Sequence, residues 1–432
     1  MSFKPNFDFV EELKWRGLMH DIMPGTQDLL NKEQVVGYVG FDPTADSLHI
    51  GNLVPITQLM LFQRAGHKPV ALVGGATGMV GDPSGKSSER KLLDETTIQY
   101  NIDCQKKQLE KFIDFNHAQN SAVMVNNYDW FKNWSFLDFI RDVGKHITVS
   151  YMMSKDSVKN RLEAGGISFT EFTYQLVQGY DFLHLHNELG CKLQMGGSDQ
   201  WGNITTGTEL IRRMANGEAY ALTAPLVTKS DGTKFGKSEG GNVWLDPKKT
   251  SPYKFYQFWL NVADEDAIRF IKIYSLKSRE EIEAIINESV GNEHLRLVQK
   301  ALAEEMTVRV HSQEALDMAI KATQIFFGNG TAEDLKSLDE VTLQASLEGL
   351  EAFEISKAEI ENGIPILDFL AVNTTIFPSK GEARKMIQSN GFAINKTKET
   401  DVNAMVNSTH LMHGKYIIAQ KGKKQYYLIT VA

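Results

Sequence analysis

The sequence predicts an α/β protein whose larger part is built around a parallel β-sheet. Segments 34–41 and 69–73 are rich in β-branched and other apolar residues, which is typical of buried strands. Between them, in segment 48–66, apolar residues recur at three- and four-residue spacing, as in a helix. A charged segment with helical character, 89–114, leads to a third predicted strand at 122–125. Strands and helices that alternate in this way favour parallel pairing with right-handed crossovers, and ligands then bind at the carboxyl ends of the strands.

The second part of the chain has a different pattern. Segment 251–327 is helical in its periodicity, segment 331–362 is acidic and weakly periodic, and short strand patterns follow at 392–395, 416–419 and 426–431. A weakly periodic segment between two regular regions is typical of a linker. The predicted domains are a parallel-sheet domain at 1–228 with an inserted segment around 120–165, a helical domain at 229–330, a linker at 331–362 and a small α+β domain at 363–432.

The composition is that of an ordinary globular protein. Hydrophobic residues make up 42% of the 432 residues and charged residues 23%, which excludes a mainly disordered, collagen-like or disulfide-stapled chain. Cys104 and Cys191 are the only cysteines, too few for a zinc cage. No apolar run approaches about 18 residues, and the first residues mix acidic and basic side chains with apolar ones, unlike a secretory signal. We therefore expect a cytoplasmic protein without a membrane span.

Charge is distributed unevenly along the chain. The totals are 46 Lys and Arg against 54 Asp and Glu, a net charge of −8. Segment 378–432 alone carries nine basic and three acidic residues, so its local charge is +6 and that of the preceding 377 residues is −14. A basic terminal module is expected where a protein meets a polyanion, although a solvated basic surface has the same composition.

The glycine-rich stretch from Gly81 to Ser87 (GDPSGKS) invites comparison with a phosphate-binding P-loop. A P-loop has four residues between its two glycines, and here there are three, so we reject that interpretation. The stretch still combines a carboxylate, Asp82, with two cations, Lys86 and Arg90. That composition suits a loop over a polyphosphate ligand.

Two further strings combine helix-terminus and lysine chemistry. His49 to Asn52 (HIGN) opens a helix directly after a strand and turn, where free N–H groups favour phosphate. Segment 229–238 (KSDGTKFGKS) holds three lysines and two glycines, a composition that can close over a triphosphate. Alone, the first is an ordinary turn and the second an ordinary exposed loop. Together, in this order and in a parallel-sheet chain, they indicate a nucleotide site.

This pair resembles the two signature motifs of class I aminoacyl-tRNA synthetases, and KFGKS at 234–238 is similar to the form in bacterial-type tyrosyl-tRNA synthetases. The resemblance extends over nearly the whole chain. Six more strings match that family: 38–45 (YVGFDPTA), 74–78 (GGATG), 81–85 (GDPSG), 196–203 (GGSDQWGN), 251–259 (SPYKFYQFW) and 422–428 (GKKQYYL).

The resemblance implies a Rossmann-like catalytic domain, an α-helical domain facing the anticodon arm, and a small α+β S4-like RNA-binding domain. It implies a tyrosine–tRNA ligase, which forms tyrosyl-adenylate from L-tyrosine and ATP and then transfers tyrosine to the terminal adenosine of tRNA(Tyr). ATP would arrive with Mg²⁺ as a substrate, without a fixed metal site or prosthetic group. Family members are homodimers, so the resemblance implies a homodimer here.

Three of the implied tyrosine-binding residues lie at i, i+4 and i+7 of a single predicted helix, so they share a face. A phenol both donates and accepts a hydrogen bond, and a carboxylate paired with a hydroxyl meets both needs. The resemblance assigns the phenol to Tyr38 and Asp181, the α-ammonium to Asp82, Tyr174 and Gln178, and the carboxylate side to Gln200.

The implied nucleotide site uses positioning and charge rather than a protein nucleophile, because the carboxylate of tyrosine itself attacks the α-phosphorus. Three positions depart from the family pattern: Asn52 replaces the second histidine of the first motif, Val39 replaces a frequent cysteine, and Pro55 lies early in the helix. The resemblance assigns the γ-phosphate to Thr44 and His49, the pyrophosphate to Lys86, Arg90, Lys234 and Lys237, the ribose to Asp199, adenine to the backbone of Leu226 and Val227, and further nucleotide contacts to Gly40, Asp42, Gly51, Asn52 and Gly197.

Segment 379–395 resembles the start of an S4-type RNA-binding module, with Lys380, Arg384 and Lys385 along one short helix. Two alternatives to the leading hypothesis stay open. One is a tryptophan-specific relative, against which Asp181 and the RNA-binding module argue. The other is a non-catalytic RNA-binding protein derived from a synthetase, against which the retention of His49 and the lysine loop argues.

Overall fold

The computed structural model describes residues 3–84, 93–230, 232–233, 235–238, 241–328, 330–348, 350–422 and 425–432, and for Lys237, Ser238 and Phe327 only the backbone. It divides into two compact units. The first consists of residues 1–250 with 259–310, and the second of residues 251–258 with 311–432. No helix in these ranges is long and apolar enough to cross a membrane.

A five-stranded parallel sheet forms the centre of the first unit, in the order β3-β2-β1-β4-β5. The predicted strands at 34–41, 69–73 and 122–125 are found within two residues of their expected bounds, and the predicted α/β class is confirmed. A separate two-stranded ribbon, β6 with β7, follows later in the chain. The strands of this unit are β1 (Val36–Phe41), β2 (Lys68–Val73), β3 (Val123–Asn126), β4 (Cys191–Gly197), β5 (Tyr220–Ala224), β6 (Lys237–Ser238) and β7 (Gly241–Asn242).

Helices alternate with these strands along the chain, and α12 has residues in both units. They are α1 (Phe9–Arg16), α2 (Thr26–Lys32), α3 (Leu53–Arg64), α4 (Thr77–Val80), α5 (Glu95–Leu109), α6 (Tyr128–Phe131), α7 (Phe136–Asp142), α8 (Val149–Met153), α9 (Asp156–Glu163), α10 (Phe169–Leu189), α11 (Trp201–Leu210), α12 (Pro252–Leu260), α13 (Asp264–Tyr274), α14 (Arg279–Ser289) and α15 (Leu297–Val310). Short 3₁₀ turns at Ile50–Asn52 and Ser198–Gln200 lead into α3 and α11.

Helix α10 is the long helix that packs across the sheet and carries the predicted tyrosine-binding face. It begins at a capped N-terminus, where the side chain of Ser168 accepts a hydrogen bond from the N–H of Glu171. It ends at Gly190, whose φ of +65° is the left-handed conformation that glycine adopts without strain. Its residue Phe182 is buried and meets the ring of Tyr38 from β1 at 5.4 Å, so helix and sheet share one core.

The second unit combines helices with a five-stranded sheet of order β11-β10-β13-β14-β8, in which β14 pairs antiparallel with β13 and parallel with β8. Its helices are α16 (Gln313–Phe327), α17 (Ala332–Lys336), α18 (Glu340–Leu347), α19 (Lys357–Asn362), α20 (Ile366–Asp368) and α21 (Lys380–Gln388). Its strands are β8 (Glu351–Ile355), β9 (Ile364–Pro365), β10 (Phe392–Ile394), β11 (Thr397–Lys398), β12 (Met405–Val406), β13 (Tyr416–Lys421) and β14 (Gln425–Val431).

The segment expected to be a linker, 331–362, differs from that expectation. It contains three helices and the edge strand β8, whose backbone pairs with Tyr427–Val431 of the last strand. Ile355 and Ile360 from this segment are buried in the core of the small sheet. The pattern is weak in the sequence because most side chains of an edge strand face solvent, so acidic residues occupy positions that a central strand would fill with apolar ones.

Candidate active site

A cavity of about 850 Å³ opens at the carboxyl ends of β1, β2 and β4, where the parallel topology predicts a ligand site. It brings together residues that are far apart in the sequence. Thirteen of the predicted site residues line it: Tyr38, Gly40, Asp42, Thr44, His49, Asn52, Asp82, Tyr174, Gln178, Asp181, Gly197, Asp199 and Gln200.

The inner end of the cavity holds Tyr38 and Asp181, each only 1% exposed. The Tyr38 hydroxyl has no hydrogen-bond partner within the described ranges. The Asp181 carboxyl accepts one hydrogen bond on each oxygen, from Asn127 Nδ2 at 3.0 Å and from Trp130 Nε1 at 2.9 Å. Since a carboxylate oxygen can accept two hydrogen bonds, Asp181 keeps acceptor capacity for a ligand.

Burial dominates the electrostatics of this end. It raises the pKa of the Asp181 carboxyl well above its usual value, against the lowering effect of the hydrogen bonds from Asn127 and Trp130. Burial also raises the pKa of the Tyr38 phenol, and the nearby charge of Asp181 adds to that increase. Unpaired buried hydroxyls are costly, so this end of the cavity favours a ligand that both donates and accepts a hydrogen bond.

Oxygen acceptors from α10 and from Asp42, directly after β1, lie farther along the cavity. The Tyr174 hydroxyl donates to Asp42 Oδ2 at 2.9 Å, and Thr77 Oγ1 donates to Asp42 Oδ1 at 2.7 Å. Asp42, predicted at the nucleotide, therefore holds Tyr174 in place. Gln178 Oε1, one turn further along the helix, is buried without a partner among the residues that the structure describes. Both α10 side chains thus present oxygen acceptors to the cavity.

The third predicted ammonium ligand, Asp82, lies on the loop after α4 and is 7% exposed. Its Oδ2 accepts a hydrogen bond from Gln200 Nε2 at 2.7 Å, and its Oδ1 accepts from the backbone N–H of Ser84 at 3.0 Å. Gln200, predicted on the carboxylate side of tyrosine, therefore also orients Asp82. Asn203 completes this network, with Nδ2 3.2 Å from Gln200 Oε1.

The outer end of the cavity is built around His49 at the start of α3. Its Nδ1 accepts a hydrogen bond from the Gly51 N–H at 3.0 Å, which leaves Nε2 as the protonated nitrogen of the neutral ring. Asn52 Oδ1 accepts from the His49 N–H at 2.9 Å. Gly51 does not line the cavity, and a Cβ there would come within 2.8 Å of the His49 ring, so its absent side chain makes room for this ring. His49 and Thr44 both line this end of the cavity.

The segment around the lysine loop lies against the first motif. The Ile50 N–H donates to the Val243 carbonyl at 2.9 Å, and Phe235 and Gly236 line the cavity beside His49. Lys86, Arg90 and Lys234 lie outside the described residues, as does the side chain of Lys237. Leu226 and Val227 follow β5 without lining the cavity, and Leu226 is exposed, although its side chain lies next to Gly197.

The predicted RNA-binding cations lie in the second unit on α21, where Lys380, Arg384 and Lys385 are all exposed. Ala383 and Ile387 on the opposite face are buried. Lys380 forms an ion pair with Asp368. The helix therefore has one exposed cationic face and one buried apolar face.

Sequence reasoning missed several residues that shape the inner end. Asn127 is fully buried and, besides Asp181, its side chain contacts Thr77 Oγ1 and the Ala76 N–H, so it joins three segments. Gln194 of β4 lines the cavity, and its buried Oε1 has no hydrogen-bond partner in the part of the chain that the structure describes. Asn127 directly follows β3, and Gln194 is a polar residue within a buried strand. Both signals are visible in the sequence once the strands are known.

The described part of the chain contains no group of three His, Cys, Asp or Glu residues placed to hold a metal ion. Of the carboxylates that line the cavity, those of Asp42, Asp82 and Asp181 accept hydrogen bonds from neighbouring side chains.

Comparison with known proteins gives the class. A family model described as tRNA synthetases class I (W and Y) matches residues 30–328, and one described as a tyrosine–tRNA ligase SYY-like C-terminal domain matches residues 343–429. The chain belongs to the class I tRNA synthetases of this tryptophan and tyrosine family. It is therefore an aminoacyl-tRNA synthetase, an ATP-using ligase.

Individual relatives narrow this class. The chain is 60% identical to a tyrosine–tRNA ligase of Bacteroides fragilis over 98% of its own length and 99% of the relative's. It is 59% identical to one of Porphyromonas gingivalis over 98% and 100% of the two chains. Among solved structures, a C-terminally truncated mitochondrial tyrosyl-tRNA synthetase of Aspergillus nidulans is 32% identical with a TM-score of 0.66, covering 74% of this chain and 94% of that one. The predicted resemblance to tyrosyl-tRNA synthetases is confirmed.

Proposed function

We propose that this chain is a tyrosine–tRNA ligase that activates L-tyrosine with ATP, releases pyrophosphate, and transfers tyrosine to the 3′-terminal adenosine of tRNA(Tyr). The observation that carries the proposal is the Tyr38 hydroxyl, which is buried without a partner among the described residues at the same end of the cavity as Asp181. The phenol of tyrosine would donate to Asp181 and accept from Tyr38. Phenylalanine would leave both groups unpaired, which is the situation in which hydrogen-bonding sites discriminate most strongly.

The α-ammonium of tyrosine has three N–H donors, and the cavity offers three oxygen acceptors, two from α10 and one from the loop after α4. These are the Tyr174 hydroxyl, Gln178 Oε1 and the Asp82 carboxylate, all of which line it. Before the ligand binds, Asp42 orients Tyr174 and Gln200 orients Asp82. Gln178 Oε1 is already buried. Preorganised acceptors lose little entropy on binding, so they fix the direction of the amino-acid carboxylate.

In the activation step, one oxygen of that carboxylate forms a bond to the α-phosphorus while the bond to pyrophosphate breaks. Negative charge grows on the departing pyrophosphate, so donors placed there lower the barrier. His49 Nε2 and Thr44 would supply such donors at the outer end, and Lys86, Arg90, Lys234 and Lys237 would supply charge. Gly40 and Gly197 would allow the nucleotide to approach the sheet closely, with Asp199 at the ribose and Gly51, Asn52, Leu226 and Val227 around the nucleotide.

Magnesium would enter with ATP, since triphosphate oxygens and water satisfy its preference for oxygen ligands. Its chemistry would be neutralisation of phosphate charge. The roles of Asp42 and Asp82 remain those of positioning Tyr174 and binding the ammonium group.

Transfer requires tRNA(Tyr), and the cations on α21 support a contact with its backbone. Lys380, Arg384 and Lys385 stand exposed on one short helix of a segment whose net charge is +6. Contacts between such cations and phosphate are salt-dependent and carry no sequence information. Both cysteines are free thiols, which supports action in a reducing cytoplasm.

We also propose a homodimer. Helices α7 and α8 and the start of α10 carry large apolar side chains that are exposed in the single chain, including Phe136 at 64% and Leu137 at 75%. The rings of Phe136 and Phe169 lie 6.5 Å apart, so these residues form one surface. An exposed apolar surface of this kind favours association with a second copy. Light scattering should give twice the monomer mass, and Leu137→Glu should give the monomer mass.

The decisive experiment is amino-acid-dependent exchange of radiolabelled pyrophosphate into ATP by the full-length protein. We expect exchange with tyrosine and almost none with phenylalanine or tryptophan. An indole only donates a hydrogen bond, so it would leave the Tyr38 hydroxyl without an acceptor. Exchange with tryptophan alone would favour the tryptophan-specific relative, and no exchange with any amino acid would favour the non-catalytic alternative.

A further inference from the structure

The loop between β1 and α3 is held from one side by a row of amides. Helix α5 presents Asn101, Gln105 and Gln108 at i, i+4 and i+7, so the three share one face. Asn101 and Gln105 are buried, at 4% and 2% exposed. Amide side chains buried beside a loop usually satisfy its backbone, because few other groups can both donate and accept.

Each amide bonds a different point of this loop. Together they hold four loop residues, two before Asp46 and two after it. Asn101 Nδ2 donates to the Pro43 carbonyl at 2.9 Å, Gln105 Nε2 donates to the Ala45 carbonyl at 3.0 Å, Gln108 Nε2 donates to Ser47 Oγ at 3.0 Å, and Gln108 Oε1 accepts from the Leu48 N–H at 2.8 Å.

The opposite side of the loop contacts the segment that follows the lysine loop. The Leu245 N–H donates to the Leu48 carbonyl at 2.9 Å, and the Asp246 N–H donates to Ser47 Oγ at 3.2 Å. Two residues separate the start of α5 at Glu95 from segment 85–92, which contains Lys86 and Arg90. The loop that carries Thr44 and His49 therefore lies between α5 and segment 245–246. In the sequence, α5 follows the segment with Lys86 and Arg90, and segment 245–246 follows the segment with Lys234 and Lys237.

We propose that Asn101, Gln105 and Gln108 are positioning residues for the adenylation step. They hold the backbone of 43–48 so that Thr44 and His49 meet the triphosphate, and they do not contact tyrosine. This inference rests on the proposed function. A displacement of about 1 Å in such a site can lower the rate by about 10²-fold, so we expect the loss of one amide to slow the adenylation step. The inner end of the cavity, built by β1, β4 and α10, keeps its geometry.

The first test is Gln105→Leu, which removes the donor to Ala45. The matched control is Gln99→Leu, on the same helix at an exposed position. We expect the kcat of pyrophosphate exchange to fall at least tenfold in Gln105→Leu, with the tyrosine Kd from calorimetry within twofold of wild type. An unchanged kcat in a folded variant, or an equal loss of tyrosine affinity, would overturn the inference.

A pair of charge-matched variants separates positioning from general support of the fold. In Gln108→Glu the carboxylate can still accept from Leu48, whereas in Gln105→Glu it faces the Ala45 carbonyl without a donor. We expect Gln108→Glu to retain kcat within about threefold of wild type and Gln105→Glu to lose at least tenfold. Equal losses in both variants contradict the inference.

Gln108→Leu covers the case in which neither Gln105 variant folds, as judged by thermal unfolding. It should lose at least tenfold in kcat, and Gln108→Glu should restore most of that loss. Failure of Gln108→Glu to restore activity would overturn the inference. If wild type itself shows no tyrosine-dependent exchange, the proposed function fails instead, so the two failures are distinguishable.

Discussion

The two ends of the cavity differ in how they are built. Tyr38 and Asp181 at the inner end come from a central strand and a long helix and are almost fully buried. At the outer end, Thr44 is exposed and His49 half-buried, both on the loop after β1. Regular elements packed in the core hold their side chains rigidly, whereas loops can rearrange when a ligand enters or leaves.

This difference matches two different tasks. Discrimination between tyrosine and phenylalanine depends on one hydroxyl, so it needs a dry site in which an unpaired group is costly. Charge stabilisation of pyrophosphate needs donors that also release the product, which suits the open end. The comparison therefore predicts that variants at the inner end change substrate selectivity and that variants at the outer end change the rate of the chemical step.

The largest effect is expected for Asp181→Ala. Loss of the carboxylate removes the acceptor for the substrate phenol and leaves Asn127 and Trp130 without their acceptor. We expect kcat/KM for tyrosine to fall by about 10⁴-fold in the exchange assay. Glu188→Ala, an exposed carboxylate on the same helix, is the control. If Asp181→Ala keeps its preference for tyrosine, the inner end of the cavity does not recognise the substrate.

The next effect concerns the outer end. His49→Ala removes a donor from the triphosphate without touching the tyrosine pocket. We expect the rate of adenylate formation, measured by rapid quench, to fall by about 10²- to 10³-fold, as for other transition-state donors. The tyrosine Kd should stay within twofold of wild type, and the exposed His20→Ala variant should match wild type throughout. A weakened tyrosine Kd in His49→Ala would mean that the two ends are not separate.

His67, at the amino end of β2 and thus at the end of the strands opposite the cavity, tests whether acid sensitivity arises at the cavity. Burial lowers the pKa of His67 from 6.5 to about 4, and its Nδ1 accepts the Val35 N–H at 3.3 Å. As the pH falls below 6.5, His67 therefore takes up a proton in the unfolded chain, whereas in the folded chain it stays neutral until the pH approaches about 4. The free energy of unfolding should therefore be highest above pH 6.5 and should fall by about 3 kcal/mol in total as the pH decreases to about 4.

Thermal unfolding between pH 7 and pH 4 measures this contribution. His67→Leu should be less stable than wild type at pH 7, because Val35 loses its acceptor, but it should lose less stability on acidification. The exposed His117→Leu variant should keep the wild-type pH dependence. Identical pH dependence in His67→Leu and wild type would place the acid sensitivity elsewhere.

The smallest effect is expected for Tyr38→Phe. One buried hydrogen bond to the substrate is lost, while Asp181 still accepts from the phenol. We expect kcat/KM for tyrosine to fall by about tenfold and that for phenylalanine to change little. Tyr180→Phe, a partly exposed tyrosine of α10 outside the cavity lining, is the control. Equal losses for both amino acids would show that the Tyr38 hydroxyl does not serve selectivity.

Much of the first unit could be predicted from the sequence. The strands at 36–41 and 68–73 are apolar except for the exposed Lys68 at the start of the second, because a parallel strand covered on both faces is apolar along its buried length. The spacing of Tyr174, Gln178 and Asp181 on one helix placed three side chains on a shared face, and all three line the cavity. Local periodicity carried this information.

The supporting residues could not be predicted in the same way. Asn127 contacts Asp181, which is 54 positions away in the sequence, and the amides of α5 contact a loop about 60 positions away. A single asparagine or glutamine in a sequence has no periodic pattern. Its partner is decided by which segments the sheet brings together.

The edge strand at 351–355 was missed for a related reason. Its exposed side chains impose no alternation on the sequence, and only its backbone pairing with β14 defines it. Sequence alone determined the α/β class, the central strands, the helix faces and the family signatures, because these depend on neighbouring residues. Tertiary structure decided the partner of each buried polar group, because the side-chain hydrogen bonds of Asn127 and of the α5 amides join segments that are distant in the chain.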